Sequence, residues 1–467
     1  MTETKSYDVI IVGAGPAGIF AALELSQASD LRILVLDKGR DIEKRHCPIY
    51  NSDRSCIHCK FCDRISGWGG AGAYSDGKLT LSDEVGGQLQ DVVGQPALAK
   101  LVEYVDKTYV QFGAPARVYG QQRDDAVENL IHQAALAELQ LLYFPVRHMG
   151  TDGSAAVLRA MRDELLRRGV DIRCSTEISQ VLVNDTHVVG VKTKRGEVIE
   201  GHYVMVAPGR EGNAWLTQMA QQLDLPLAVN PVDIGVRVEL PAKVLEPLTS
   251  ILYEPKLYYY SKSFDDQVRT FCACPYGEVI SEWAGDVLTV NGHSYVHKKT
   301  ENTNFAILVK KNFTEPFKDP IAYGKYIAQL ANLLSGGVIV QRLGDLRSGR
   351  RTNAQRLERC IVRPTLKEAT PGDLGLVLPY RHMVNILEML DALDKLAPGV
   401  ASRHTLLYGV EVKFYSSRLE LNAHLETRIT NLFAGGDGAG ITRGLVQASV
   451  SGVLVARAIL ERETKSS

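Results

Sequence analysis

The stretch Tyr7–Gly18, YDVIIVGAGPAG, decides the fold. Residues 7–12 are a β-rich apolar run, and residues 13–18 match G-x-G-x-x-G. Ile19–Ala28 then continues at helical spacing, and residues 32–36 (RILVL) form a second strand ending at Asp37. This order of strand, glycine turn, helix and strand predicts a βαβ unit. Each glycine has a physical task. Gly13 permits the tight turn, Gly15 lets backbone approach a pyrophosphate, and Gly18 lets helix and strand pack closely. The helix N-terminus, entered through Pro16 and Ala17, offers free N–H groups and a positive dipole end to phosphates. Asp37 sits where a carboxylate accepts hydrogen bonds from an adenosine ribose. The pattern predicts dinucleotide binding.

Working outward, the chain has 467 residues, which suggests about two to three domains. Hydrophobic residues make up 45% and charged residues 23%, enough apolar material for a large core. Lys and Arg total 53 against 54 Asp and Glu, so the net charge is −1. That balance gives no bulk attraction for nucleic acid or an anionic membrane, and neither is expected as a partner. Apolar runs such as Val9–Val12 and Ala17–Leu23 fall far below the roughly 18 residues a membrane span needs. Met1–Asp8 is polar and unlike a secretory signal. The expectation is a cytoplasmic protein whose eight cysteines are reduced, metal-bound or redox-active.

Residues 40–90 are rich in Cys, Gly, Ser and Asp and show little periodicity. Helical spacing returns near Ala97–Phe112 and Asp124–Leu139, followed by a strand at 140–145. A helix is expected over Gly153–Arg168, capped by Thr151 or Asp152. Residues 171–206 read as a β-meander ending in a buried strand at Tyr203–Ala207. Residues 231–300 are strand-rich, and helices fall near Ala322–Leu334 and Arg381–Leu393. The chain closes with a strand, a glycine turn and a long amphipathic helix over Asn431–Glu463. The absence of a linker predicts an insertion: a first domain from residues 1–215 and 401–467, holding a cysteine-rich loop at 45–80, with a second domain at 216–400.

GAGPAG with Asp37-Lys38-Gly39 resembles the glutathione-reductase-like FAD superfamily. Val206–Gly212 (VAPGREG) is similar to that superfamily's small-residue turn after a late strand. Leu432–Gly440 (LFAGGDGAG) is similar to its C-terminal Gly-Asp element. More narrowly, the chain resembles a group of largely uncharacterised FAD-dependent dehydrogenases. The matching segments are CPI at 47–49, SGWGGAGAYSDGKL at 66–79, GTD at 150–152, APGREG at 207–212, FCACP at 271–275, NGHS at 291–294, GVEVKFYSSRLELN at 409–422 and GDGAGITRGLVQAS at 436–449. The resemblance implies an α/β fold, a three-layer Rossmann-type FAD domain carrying an inserted mixed α+β substrate domain. It implies FAD as cofactor, held by Gly13, Gly15, Pro16, Ala17, Gly18, Asp37, Lys38, Gly39, Arg45, Ile178, Gly209, Gly436, Asp437, Gly440, Arg443 and Gly444. Asp437 would hold the ribityl chain. Gly69, Gly70, Ala71 and Gly72 would run beside the isoalloxazine. Gly67–Gly72 repeats G-x-G-x-x-G formally, but no clear strand precedes it, so it is not a second nucleotide fold. The alternative reading is a surface glycine loop. With no further fingerprint for NAD(P)H, either that nucleotide visits the substrate face or electrons come from elsewhere.

Cys47, Cys56, Cys59 and Cys62 form C-x8-C-x2-C-x2-C. The run resembles the start of a ferredoxin motif, yet position 66 is Ser, so Cys47 would supply the fourth ligand. Zinc held by four thiolates fits the same spacing. A redox-active dithiol and simple packed thiols fit it too. Strand alternation would place Cys272 and Cys274 on one face; packing is the reading for Cys272, and Cys274 is a catalytic candidate. His293 is placed on a turn as a candidate acid or base, against the alternative of a hydrogen-bonded loop histidine. Tyr258–Tyr260 read as sheet core and surface. Arg347, Arg350 and Arg351 read as a solvated basic turn, with anion binding as the alternative.

These observations predict an FAD-dependent oxidoreductase that moves hydride or electrons between flavin N5 and a small molecule bound between two domains. A flavin monooxygenase, a flavin-containing RNA-modification factor and a redox sensor reading the cysteine cluster are the rivals. The neutral charge opposes the RNA reading.

Overall fold

A computed structural model describes residues 6–48, 59–75, 77–228, 231–284, 286–295, 298–311, 313, 319–414 and 418–466. The chain forms two compact units. The first contains residues 1–117, 147–228 and 416–467; the second contains 118–146 and 229–415.

The main sheet of the first unit has seven strands. Its strands are β1 (Ser6–Val12), β2 (Ile33–Leu36), β3 (Asp171–Arg173), β4 (Ile178–Asn184), β5 (His187–Thr193), β6 (Val198–Val206) and β7 (Leu432–Ala434). The order is β3-β2-β1-β6-β5-β4, with β7 also pairing with β6. The strands β3, β2, β1, β6 and β7 pair in parallel, while β5 pairs antiparallel with both β6 and β4. Parallel strands covered on both faces read as continuous apolar runs, and IIV, ILVL and YVMV are such runs. Helix α1 (Pro16–Ala28) buries Ala17–Leu23 and Leu25. Helix α2 (Leu445–Ser466) lies directly on α1: a Cβ on Gly452 would stand 2.0 Å from the Ala17 carbonyl oxygen.

The second unit is an eight-stranded sheet. Its centre is Val232–Pro241, flanked by Asn302–Lys311 and Leu406–Lys413, with all three antiparallel. Alternation along Val232–Pro241 gives the two faces different chemistry. Val232, Ile234, Val236, Val238 and Leu240 join the apolar core with residues from the helices Pro320–Ser335 and Tyr380–Leu396. Asp233, Arg237 and Glu239 face the other way and are also buried.

The domain boundaries differ from the sequence reading. The helix Asp125–Leu136 and the strand Gln140–Leu142 belong to the second unit, because that strand pairs with Lys256–Tyr260. Residues 216–228 stay in the first unit, where Leu216, Met219 and Ala220 join its core. Residues 401–414 fall in the second unit, because Leu406–Lys413 is a strand of its sheet. The helix expected from Gly153 starts at Gly150, with Met149 at the cap position. Neither Thr151 nor Asp152 caps it, since both lie inside its first turn. Among the described residues, no helix is long and apolar enough to cross a membrane.

His382 is 2% exposed, and neither ring nitrogen has a hydrogen-bond partner. Burial, reinforced by Lys311, lowers its pKa from 6.5 to about 4. Between those values the unfolded chain binds a proton that the folded chain does not, so stability falls as pH drops. Chemical denaturation should show a loss of up to roughly 3 kcal/mol across this window, and His382→Phe should flatten that slope. Identical pH profiles for the two proteins would contradict this.

Candidate functional site

The carboxyl ends of four parallel strands stand side by side. Val12 lies opposite Leu36 and Val206, and Val206 lies opposite Ala434. The residue after each end donates to its neighbour's last carbonyl. Gly13 N–H reaches Leu36 O at 2.7 Å, Ala207 N–H reaches Val12 O at 2.7 Å, and Gly435 N–H reaches Val206 O at 3.1 Å. The glycine fingerprint, Asp37, the APGREG turn and the GDGAG turn are thus one edge of one sheet. Ligands of open α/β sheets bind at this edge.

The glycines divide as their chemistry predicts. Gly13 has φ +116°, and a Cβ there would lie 2.1 Å from Ala207 O. A Cβ on Gly18 would lie 2.0 Å from Gly13 O. A Cβ on Gly15 would meet nothing within 4 Å. Two glycines are therefore demanded by packing, while the third faces open space. Gly15 is the N-cap of α1 and gives it no side-chain cap, so the helix end keeps amide donors for a ligand.

Asp37 accepts from Ala14 N–H at 2.9 Å through Oδ2 and from Gly39 N–H at 2.8 Å through Oδ1. It braces the turn, and each oxygen retains a second acceptor site for a ribose hydroxyl. Lys38 pairs with Glu211 of the APGREG turn. A Cβ on Gly438 would stand 2.4 Å from Gly209 O, and one on Gly436 would stand 3.2 Å from Ala17 Cβ. Ile178 is buried at the start of β4. It follows Thr176, whose N–H donates to Asp37 O at 2.8 Å.

Arg45 is 6% exposed. Its Nε donates to Asp63 O at 2.8 Å, and Nη1 donates to Trp68 O and Gly70 O at 2.6 and 2.8 Å. Nη2 is buried without a partner. Burial lowers the pKa of this guanidinium, against the pull of Asp37, Tyr74 and Asp63. Arg45 shapes the loop 67–72, which packs on the fingerprint itself. Gly69 N–H donates to Ala14 O at 2.7 Å, and a Cβ on Gly70 would lie 3.3 Å from Gly15 Cα. The loop includes a 3-10 turn, Gly70–Tyr74, with Ala71 exposed.

Asp437 accepts from Thr442 Oγ1 at 2.9 Å and from Gly444 N–H at 3.2 Å. Its pKa is raised by burial, opposed by Arg210, whose Nε lies 3.8 Å away. Gly440 takes the left-handed conformation that ends this turn. Arg443 is exposed, and its N–H donates to Gly86 O at 2.5 Å, tying the entry of α2 to residues 86–88. Gln447, in the first turn of α2, is 3% exposed with Oε1 unpartnered. Arg210, Thr442 and Gln447 were not singled out from sequence, although all three lie inside the segments quoted for the resemblance.

An unpartnered buried guanidinium nitrogen, a helix end without a cap and open space over Gly15 fit an anionic dinucleotide. Residues 11–42 match the NAD(P)-binding Rossmann-like domain family, and residues 231–414 match the family described as FAD-dependent protein, C-terminal domain-like. The two matches agree with the geometry in marking a Rossmann-like nucleotide-binding segment and a segment shared with FAD-dependent proteins. An uncharacterised protein of Clostridium beijerinckii is 26% identical over 489 residues, covering 99% of this chain and 82% of that one. The mitochondrial electron transfer flavoprotein-ubiquinone oxidoreductase of Oryza sativa subsp. japonica is 49% identical over 45 residues, 9% of this chain and 8% of that one. The 3-ketosteroid-delta4-(5alpha)-dehydrogenase of Rhodococcus jostii RHA1 aligns with a TM-score of 0.44 at 12% identity, covering 98% of each chain.

Other sequence candidates fall elsewhere. Cys56 lies outside the described residues. Cys47, Cys59 and Cys62 form no disulfide with one another, and no group of three or more metal-ligating side chains occurs among the described residues. Cys274 is fully buried, which keeps it from touching a substrate directly. His293 is not on a turn: it ends the strand Val287–His293, opposite Glu278. Arg347 pairs with Asp391, and Arg350 with Asp345 at 3.0 Å, so these two are engaged ion pairs.

Gly15 and Gly18 separate binding from folding. Gly15→Ala should leave the melting temperature nearly unchanged and weaken FAD binding at least about tenfold. Gly18→Ala should destabilise the fold by about 1–3 kcal/mol through the clash with Gly13. Thermal unfolding and FAD titration of both variants check this; equal effects on stability would contradict it.

Proposed function

We propose that the enzyme is of the glutathione-reductase-like type and passes hydride between FAD and a small organic molecule, with NAD(P)H as reductant. The carrying observation is the convergence of Gly13–Gly18, Asp37, Ala207–Gly212 and Gly435–Gly444 on one sheet edge. FAD supplies the two-electron chemistry, and the protein supplies binding, orientation and electrostatics.

Each residue has a task in that reading. The α1 amides and the free Nη2 of Arg45 receive the pyrophosphate charge. Asp37 accepts from the adenosine ribose. Asp437 accepts from ribityl hydroxyls, and Thr442 and the Gly444 amide hold its carboxylate in place. The backbone of residues 69–72 would lie beside the ring, with the Gly69 and Gly70 N–H groups already given to Ala14 O and Gly67 O. The N-terminus of α2, following Arg443 and Gly444, favours negative charge at the far end of the ligand. Cys47, Cys56, Cys59 and Cys62 are candidates for a zinc or iron–sulfur site on spacing alone.

The full-length protein, loaded with FAD under anaerobic conditions, should lose its long-wavelength flavin absorption on addition of NADH or NADPH. A dye or quinone acceptor should restore it. Bleaching by dithionite but by neither nucleotide would overturn the NAD(P)H assignment.

A further inference from the structure

The second unit holds a pair of thiols that the flavin reading does not use. The strand Gln267–Cys274 pairs with Asn302–Lys311, and its register slips between Phe271 and Cys274. Cys272 sits at φ +47°, a left-handed conformation that non-glycine residues rarely adopt. The irregularity bends the strand and brings the two sulfurs to 3.9 Å. A disulfide needs about 2 Å, so closure takes only a short movement.

The surroundings of the two sulfurs differ. Cys274 is fully buried, while Cys272 is partly exposed. Arg237 is fully buried, and its Nη2 donates to Cys274 Sγ at 3.3 Å and to Cys272 O at 2.7 Å. Nε donates to Asn304 Oδ1 at 2.8 Å, which fixes the plane of the guanidinium. A Cβ on Gly292 would lie 1.9 Å from Nη2, so that glycine leaves room for the Arg237 head group. Glu411 lies 3.5 Å from Arg237 Nη1 and 2.9 Å from Lys413 Nζ. The Arg237 guanidinium stands directly against the Cys274 sulfur. Glu254 accepts from Cys272 N–H at 3.1 Å, placing negative charge beside the other cysteine. A neighbouring guanidinium favours the thiolate, which is the reactive form.

We propose that Cys272 and Cys274 form a thiol–disulfide exchange site for low-molecular-weight disulfides, RS–SR. Cys272, the partly exposed thiol, gives its proton to solvent and attacks one sulfur of RS–SR, forming a Cys272–S–SR bond and releasing RS−. The Cys274 thiolate, held beside Arg237, then attacks Cys272 Sγ. The Cys272–Cys274 bond forms, the mixed disulfide breaks and a second RS− leaves. Two protein thiols are oxidised, one RS–SR is reduced to two thiols, and the protons lost by the cysteines go to those products. The site lies wholly in the second unit, so its chemistry can be read without flavin turnover.

The full-length protein is treated with oxidised glutathione, its remaining thiols are alkylated, and peptides are mapped by mass spectrometry. A single-cysteine reporter peptide added to the same reaction shows that the treatment oxidises accessible thiols. Wild type should give an internal disulfide joining 272 and 274. Cys274→Ser should instead retain glutathione on Cys272 on the order of tenfold longer. Cys272→Ser should leave Cys274 unmodified, because that sulfur is buried. Circular dichroism confirms that each variant is folded. The proposal is overturned if both wild-type thiols remain alkylatable while the reporter peptide is modified, if Cys274→Ser retains no glutathione on Cys272, or if Cys272→Ser leaves Cys274 reactive.

Discussion

Three hydrogen bonds at one sheet edge organise the flavin unit: Gly13 to Leu36, Ala207 to Val12, and Gly435 to Val206. They lock four strand ends into register, and each strand then releases the chain into a different part of the candidate site. A one-residue slip of any strand would move its turn along the edge and turn its side chains to the opposite face. β7 and β1 are separated by some 420 residues of sequence, so the site is complete only when the end of the chain returns. Close backbone packing reinforces that return, as Gly452 against Ala17 and Gly438 against Gly209 show.

The edge is tight where the protein touches itself and open where a ligand must enter. Gly13 and Gly18 are closed in by carbonyl oxygens, but Gly15 faces empty space. Arg45 follows the same rule. Three of its hydrogen bonds tie down Asp63, Trp68 and Gly70, and the remaining nitrogen is free. A buried donor without a partner costs about 1–3 kcal/mol, which an anionic ligand would relieve.

Much of this unit was legible in the sequence, because the fingerprint is local. Strand, turn, helix and acid fall within Tyr7–Asp37, and their periodicity and glycine spacing carry the reading. The resemblance supplied the distant turns at 207–212 and 436–444, which no local pattern could have joined. Three features were not legible. The transfer of 118–146 to the second unit depends on the pairing of Gln140–Leu142 with Lys256–Tyr260, and three residues hold little register information. The bracing of Asp37 by Ala14 and Gly39 depends on backbone amides, which leave no mark in residue types. The Arg237 cluster depends on long-range pairing: alternation in VDIGVRVELP predicts that Asp233, Arg237 and Glu239 share a face, but not that the face is buried.

The central claim is that four converging strand ends form one FAD site. Equilibrium titration of flavin-stripped full-length protein with FAD, followed by quenching of flavin fluorescence, tests it most directly when repeated in the presence of ADP. Saturation at one FAD per chain, with competition by ADP for the pyrophosphate edge, is the predicted result. Failure to bind FAD, or binding that ADP leaves unchanged, would contradict the account.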